Sequence, residues 1–348
     1  MTRTAPSRIH LFARIAAVTL LAGGIATAAF SQTTPPARNI RIWPMPETVS
    51  PEGRAAAMAS ANTPMPNPLP PMPVIRQLVG GMQDAMGAKL AKRHGVRIEA
   101  AVIAGVPVRI IYPKGVNALG KGPVLLNLHG GGGKVDSGSL TETIPMAALT
   151  GVPVVAVLYR LAPENPYPAR LDDALAVYQA LEKDRKASRL AVYGTSAGAV
   201  LGAQLLARLT SLGRPMPAAL GFFSGTADAS KKGDSESWMP MPGGGLELED
   251  SYKVPRTDPV LSPIHGNLSG FPPTLLVSST RDLALSGTSI FGRALLERGV
   301  DAQLVIFDGL PHAFWTYLLD IPETDQANAL MANFLKRRLV PSSRPQAR

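Results

Sequence analysis

The sequence predicts an α/β fold with a mainly parallel, eight-stranded sheet flanked by helices. From residue 95 onward, short apolar runs alternate with segments that have helical periodicity. The run at 152–158 is apolar on both faces, as is typical of buried parallel strands. This alternation is the pattern of an α/β sandwich. Strands are predicted at 96–103, 106–112, 123–128, 152–158, 189–193, 218–223, 274–279 and 302–307, and helices at 74–94, 171–183, 199–209, 288–298 and 324–338.

The composition is that of a globular protein whose stability comes from packing alone. The chain has 348 residues, is 45% hydrophobic and contains no cysteine, which excludes disulfides and cysteine-based metal sites. Its five histidines are scattered without the spacing of zinc ligands. We therefore expect no metal and no cofactor, and a zinc hydrolase is disfavoured.

The N-terminal residues 1–28 are predicted to be a cleaved signal peptide. Arginines flank or interrupt an apolar run at 11–30, and Ala26 and Ala28 form a small-x-small cleavage pattern. The stretch at 15–30 has only 16 residues, fewer than the roughly 20 that a membrane-spanning helix needs. We expect a periplasmic or secreted protein without stable membrane insertion after cleavage.

The chain is basic, with a formal net charge of +10, or +7 without the arginines of residues 1–28. Five of the remaining basic residues lie after Phe334, and two of these, Arg344 and Arg348, lie in a basic tail at 341–348, so the C-terminal end explains part of the excess. No interleaved aromatic residues or nucleic-acid motif accompany the charge. Nucleic acid is therefore not an expected partner.

Two segments flank or interrupt the α/β pattern. Residues 35–73 hold eleven of the 33 prolines, which predicts a linker or a wrapped arm because proline cannot continue helix or sheet for long. A second segment at about 225–270 is rich in Gly, Pro and Ser and follows a predicted strand, so it is either a surface loop or a lid. We therefore expect an arm with a cap helix at 29–94 and an α/β domain at 95–340, with the 225–270 insertion completing the cap.

Ser196 lies in Gly194-Thr195-Ser196-Ala197-Gly198, between a strand-like and a helical run. Small residues on both sides allow the sharp strand-to-helix turn of a nucleophile elbow, which exposes the serine hydroxyl near the positive end of the helix. The motif indicates acyl-transfer chemistry.

A second motif, His129 followed by four glycines, comes after the strand predicted at 123–128. Glycines leave their backbone N–H groups unshielded, so the run can stabilise a negatively charged oxygen. A phosphate-binding loop is the alternative, but the spacing fits neither the G-x-x-x-x-G-K-[ST] nor the G-x-G-x-x-G frame.

Together with Tyr159-Arg-Leu-Ala-Pro-Glu-Asn-Pro-Tyr-Pro168, these motifs resemble the hormone-sensitive-lipase-like family of α/β-hydrolases, the bacterial family IV esterases, over residues 95–338. The Gly-Thr-Ser-Ala-Gly elbow is similar to the branch with threonine before the serine. The resemblance implies that the N–H groups of Gly131, Gly132 and Ala197 form the oxyanion hole. It also implies a structural role for His129.

In this fold the triad follows the order Ser, Asp or Glu, His. His312, after the last predicted strand, is the expected base, while His265 lies in a turn before the strand at 274–279. The expected acid is Asp282, which follows that strand in a site similar to the family's Asp-x-Leu, although the family usually has Asp-Pro-Leu. Asp308 is the alternative, more consistent with a loop cap because it is four residues from His312.

The expected function is hydrolysis of short- to medium-chain acyl esters by a serine carboxylesterase, with a small-molecule ester as substrate. The same triad would also serve an amide or carbamate hydrolase, because the two reactions differ mainly in how the histidine protonates the leaving group. A non-catalytic binding protein on this scaffold is disfavoured by the intact triad. Whether the chain forms a homodimer is left open.

Overall fold

A computed structural model describes residues 44–63, 66, 68–239 and 252–340. The predicted signal peptide at 1–28 and the basic tail at 341–348 lie outside the described residues. So does the middle of the predicted cap insertion, at 240–251. Those three predictions, and the domain boundaries that depend on them, stay predictions.

The described chain alternates helices with eight strands. The helices are α1 (Pro51–Ala61), α2 (Met72–His94), α3 (Thr143–Thr150), α4 (Ala169–Lys183), α5 (Ala197–Ser211), α6 (Asp234–Trp238), α7 (Leu285–Glu297) and α8 (Pro322–Leu339). The strands are β1 (Arg97–Ile103), β2 (Val106–Tyr112), β3 (Val124–Leu128), β4 (Val154–Val157), β5 (Leu190–Thr195), β6 (Ala219–Phe223), β7 (Thr274–Arg281) and β8 (Ala302–Pro311).

The strands form one sheet in the order β1-β2-β4-β3-β5-β6-β7-β8. β2 pairs antiparallel with β1 and with β4, and all other neighbours are parallel. The predicted mainly parallel, eight-stranded α/β sheet is therefore confirmed. Because the carboxyl ends of parallel strands meet at one edge, the loops after β3, β5, β7 and β8 lie side by side, where such sheets place their ligand sites.

The sheet is buried on both faces because successive strand residues enter opposite cores. In β3, Leu126 packs in the core beneath α4, α5 and α7, whereas Leu125 packs in the core shared with α3 and α8. Leu275 and Leu276 of β7 alternate in the same way. All four leucines are at most 1% exposed. This two-sided burial explains why the parallel strands read as continuous apolar runs.

The proline-rich arm is more regular than the sequence analysis predicts. It contains the 11-residue helix α1, which begins at Pro51 with Ser50 as its N-cap. Proline is tolerated at the first helical position, because its missing N–H has no intrahelical partner there, and the rest of α1 contains no proline. The prediction that helix cannot persist in this stretch is thus wrong for residues 51–61.

The arm is fastened to β7, to β8 and to the start of α8. Arg281 donates to the carbonyl of Pro44 at 2.7 Å, and Thr48 donates to Asp308 at 2.5 Å. The Ser50 N–H donates to Glu323 at 2.6 Å. Three consecutive parts of the arm therefore contact the elements at the carboxyl end of the sheet.

Two strands run further than predicted. β7 reaches Arg281 and β8 reaches Pro311, so Asp282 and His312 directly follow their strands. Asp308 consequently lies within β8 and is not a loop cap. The extension of β7 includes a register shift between Ser279 and Arg281, and that of β8 includes a positive φ of 68° at Gly309. These irregularities interrupt the alternation of side chains, so the alternation in the sequence does not reveal the ends of the two strands.

None of the helices within the described ranges is long and apolar enough to cross a membrane.

Candidate active site

Ser196 occupies the turn between β5 and α5. Its backbone has φ 57° and ψ −122°, a conformation that L-residues rarely adopt. The turn is held by a 2.8 Å hydrogen bond from the Ser196 N–H to the carbonyl of Phe223. The structure thus gives this segment the strained strand-to-helix geometry of a nucleophile elbow.

The glycines on either side of Ser196 are needed for close backbone packing. A Cβ on Gly198 would overlap the carbonyl oxygen of Leu128 and lie 2.7 Å from that of His129. A Cβ on Gly194 would lie 2.5 Å from the same Leu128 oxygen. The elbow is therefore pressed against the end of β3, where the glycine run begins.

His312 bridges Ser196 and Asp282. Its Nε2 lies 2.9 Å from Ser196 Oγ, and its Nδ1 lies 2.5 Å from Asp282 Oδ1. His312 is 6% exposed and Asp282 is fully buried. The structure therefore brings together the three residues that the sequence analysis predicts for a triad, in the hydrogen-bond order that such a triad requires.

The carboxylate of Asp282 is held by several donors in addition to the imidazole. Its Oδ2 accepts hydrogen bonds from Ser224 at 2.5 Å and Ser278 at 2.6 Å, and its Oδ1 accepts from the Ala284 N–H at 2.8 Å. Burial by itself would raise the pKa of Asp282, but the charge and hydrogen bond of His312 and the two serine hydroxyls lower that pKa below its ordinary value. The ionised form that orients His312 is thus favoured.

The alternative triad residues have other partners. Asp308 accepts hydrogen bonds from Thr48 and, at 3.0 Å, from Thr280. His265 lies 3.3 Å from Asp228 and 3.1 Å from Ser230. The structure does not bring either residue to Ser196.

The glycine run after β3 forms a tight turn facing the elbow. Gly131, Gly132 and Gly133 all have positive φ values, of 105°, 65° and 72°. The carbonyl of Gly131 accepts hydrogen bonds from the Lys134 and Val135 N–H groups at 3.0 and 3.1 Å. On the other side, Ala197 begins α5, and the first N–H groups of a helix have no intrahelical acceptor.

His129 is buried beneath this turn. Its ring stacks on Tyr159 with centroids 4.1 Å apart, and its Nδ1 lies 2.8 Å from the carbonyl of Gly130. The Tyr159 hydroxyl donates to the carbonyl of His129 itself at 2.6 Å. These contacts fix the start of the glycine run.

Glu142 is a functional candidate that the sequence analysis misses. Its carboxyl is buried behind the site, with Oε1 3.3 Å from the Gly130 N–H and Oε2 3.2 Å from the amide of Asn127. It also hydrogen-bonds to the Thr195 side chain, whose oxygen accepts from Trp315 at 3.2 Å. Burial raises the pKa of Glu142 to about 8. The residue therefore links the glycine turn to the elbow, and no local sequence motif announces it.

The described residues contain no cluster of three or more His, Cys, Asp or Glu side chains that could hold a metal ion. The side-chain groups that meet at the site are the hydroxyl of Ser196, the imidazole of His312 and the carboxylate of Asp282. Together with two sets of backbone N–H groups, these groups suit attack on a carbonyl carbon.

Comparisons with known proteins agree with this geometry. A family model described as the alpha/beta hydrolase fold matches residues 125–316. Carboxylesterase NlhH of Mycobacterium tuberculosis is 28% identical over 259 residues, which cover 68% of this chain and 80% of the relative. Ethyl acetate hydrolase of Pseudomonas putida is 31% identical over 256 residues, which cover 67% of this chain and 79% of the relative.

A solved structure is similar over nearly the whole chain. The crystal structure of an esterase named E25 is 31% identical, with a TM-score of 0.74, and the match covers 90% of this chain and 98% of that one. The matched family model spans more than half of the sequence. The chain therefore belongs to the α/β-hydrolase-fold family and, within it, to the hormone-sensitive-lipase-like carboxylic ester hydrolases.

Proposed function

We propose that the protein is a serine carboxylesterase that hydrolyses short- to medium-chain acyl esters through an acyl-enzyme intermediate. The observation that carries the proposal is the position of His312, 2.9 Å from Ser196 Oγ and 2.5 Å from Asp282. One relative is the ethyl acetate hydrolase of Pseudomonas putida, and ethyl acetate is an ester of a short acid, which supports the proposed chain length.

In the proposed first step, Ser196 Oγ attacks the ester carbonyl carbon while His312 Nε2 takes the hydroxyl proton. Asp282 holds the imidazole in the required orientation and stabilises the imidazolium. His312 then gives the proton to the leaving alkoxide, so that the C–O bond breaks, an alcohol departs and the acyl group stays on Ser196. Water, deprotonated by the same imidazole, then releases the carboxylic acid and restores the serine.

The negative charge on the carbonyl oxygen needs donors that are in place before the reaction. We assign this role to the N–H groups of Gly131 and Gly132 on the glycine turn and of Ala197 at the start of α5. Removing one donor from such a site costs about 3 kcal/mol of transition-state stabilisation. The two halves of this oxyanion hole lie on different segments, which makes their relative position important for rate.

We also propose that the arm at 29–94 and the segment at 225–270 form a cap over the site, and that the enzyme acts in the periplasm or outside the cell. Support for export comes from the arginines and apolar run of residues 1–28. Intact mass measurement of the protein recovered from the periplasm and the medium tests it. A mature chain beginning near residue 29 is expected, whereas recovery of only the full-length chain from the cytoplasm would contradict export.

The substrate class is tested with p-nitrophenyl esters from acetate to palmitate, compared with acyl anilides of matched chain length. We expect kcat/KM to peak at a short or medium ester and to be far lower for every anilide. A higher kcat/KM for anilides would identify an amide hydrolase and overturn the ester proposal. A peak at palmitate would overturn the assigned chain length.

A further inference from the structure

Arg170, in the first turn of α4, is a buried cation that has no partner among the residues that the structure describes. The residue is only 9% exposed, and its Nε is buried without a hydrogen-bond acceptor. Across the described residues, its guanidinium forms no ion pair or hydrogen bond with any side chain or carbonyl. A guanidinium stays charged and carries five N–H donors, so burying it unpaired is unfavourable.

Two other arginines in this part of the fold, Arg185 and Arg160, are paired. Arg185, which is 7% exposed, donates to the carbonyls of Gly122, Leu181 and Gly120 at 2.7 to 3.2 Å. Arg160 forms an ion pair with Asp173 at 2.8 Å and thereby occupies a carboxylate in the same helix turn as Arg170. Unlike these two arginines, Arg170 has no partner among the described residues.

The guanidinium lies next to the proposed oxyanion hole. Nη1 of Arg170 occupies the space that a Cβ on Gly133 would need, so glycine at 133 leaves room for the cation. Gly133 directly follows Gly132, and consecutive Cα atoms are about 3.8 Å apart, which puts Nη1 within about 8 Å of the Gly132 Cα. The cation therefore lies beside the glycine turn to which we assign two of the three oxyanion donors.

The two neighbouring phenols do not neutralise the charge. The nearby phenols of Tyr159 and Tyr167 have pKa values raised, chiefly by burial, so both are neutral at physiological pH. Arg170 also lies at the N-terminal end of α4, where the helix dipole is positive. An anion at this position would be attracted by both the guanidinium and the helix end.

We propose that Arg170 is a specificity-determining residue that binds a carboxylate of the substrate, so that the preferred esters are anionic. This inference rests on the proposed esterase function and names the substrate class of the same site. A carboxylate suits the planar fork of a guanidinium, which can donate two parallel hydrogen bonds to it. The net positive charge of the chain without residues 1–28, +7, would also favour the approach of an anionic ester.

The carboxylate could belong to the acyl or the alcohol part of the ester, and two sets of substrate pairs distinguish these possibilities. Mono-p-nitrophenyl succinate, glutarate and adipate carry it on the acyl side, with p-nitrophenyl esters of matched neutral acids as partners. 4-Acetoxybenzoate carries it on the alcohol side, with its methyl ester as the neutral partner. For each pair, the ratio of kcat/KM for the anionic ester to that for the neutral ester is measured.

We expect the unsubstituted protein to favour the anionic ester of at least one pair by about tenfold or more, the size expected for hydrogen bonds to a charged group. Arg170→Gln should lower that ratio by about tenfold. Arg170→Lys should lower it by less, because lysine keeps the positive charge but cannot donate two parallel hydrogen bonds to a carboxylate. Lys121→Gln removes the same charge at an exposed position and should leave the ratio unchanged.

A ratio near or below one for every pair in the unsubstituted protein would overturn the inference without needing any variant to fold. An equal fall of both rates in Arg170→Gln, with the ratio unchanged, would also overturn it. If neutral esters are hydrolysed by a Ser196-dependent reaction but no anionic preference exists, only the Arg170 inference fails. If no ester is hydrolysed, the proposed function fails first.

Discussion

The Asp282 carboxylate lies 2.5 Å from Nδ1 of His312, although each side chain follows a different strand and the two are thirty residues apart in the sequence. Parallel pairing of β7 and β8 makes them neighbours. Both strands end immediately before these residues, so neither side chain depends on a long loop for its position. The geometry fixes which imidazole nitrogen faces Ser196.

Asp282→Asn should lower kcat by about 10⁴-fold, because an amide favours the wrong imidazole tautomer. Asp308→Asn is a matched control, since Asp308 contacts Thr48 and Thr280. It should keep most of the activity. The opposite pattern, with activity lost only in Asp308→Asn, would show that the acid is misassigned.

Ser278→Ala removes one of the two hydroxyls that donate to Oδ2 of Asp282. Loss of a hydrogen bond to a charged group costs about 1.5–3 kcal/mol, part of which should appear as a several-fold fall in kcat. Both hydroxyls help to lower the pKa of Asp282, so removing one should raise that pKa. Where the acid limb of the pH–rate profile reports Asp282, it should therefore move to higher pH. An identical kcat and profile in the variant would argue against a positioning role for Ser278.

Gly198→Ala tests the close approach of the elbow to β3. The added methyl would overlap the Leu128 carbonyl oxygen, and overpacking of this kind costs about 1–3 kcal/mol or more. Gly81→Ala is the control, because nothing lies within 4 Å of its added methyl and alanine is the better helix former by about 1 kcal/mol. Urea denaturation should show Gly198→Ala destabilised and Gly81→Ala stabilised. Equal stability of the two variants would refute the packing argument.

Glu142 should make stability depend on pH with a definite sign. Burial raises its pKa from an ordinary 4.5 to about 8, so between these values the unfolded chain binds fewer protons than the folded one. The free energy of unfolding contributed by this residue therefore falls as pH rises through that window. Glu142→Gln cannot ionise, so its stability relative to the wild type should improve between about pH 5 and 8. Denaturation of both proteins across this range checks the sign, and a gap that is constant or widens in favour of the wild type would contradict it.

The predictable part of the molecule is the part encoded by local patterns. Continuous apolar runs indicated the buried parallel strands, and the small residues around Ser196 indicated the turn. Glu142 and Arg170 could not be found in this way, because their environments are created by segments distant in sequence. The helix that begins at Pro51 was not predicted for a related reason. A count of prolines does not record that proline is favourable at the first position of a helix.

The most direct measurement is the reaction of p-nitrophenyl butyrate with the purified protein and with Ser196→Ala, followed by intact mass after rapid acid quenching. The unsubstituted protein should release p-nitrophenol catalytically and carry one transient butyryl group on Ser196, whereas Ser196→Ala should show neither. Equal hydrolysis by both proteins, or acylation at a residue other than Ser196, would contradict a serine esterase built on Ser196, His312 and Asp282.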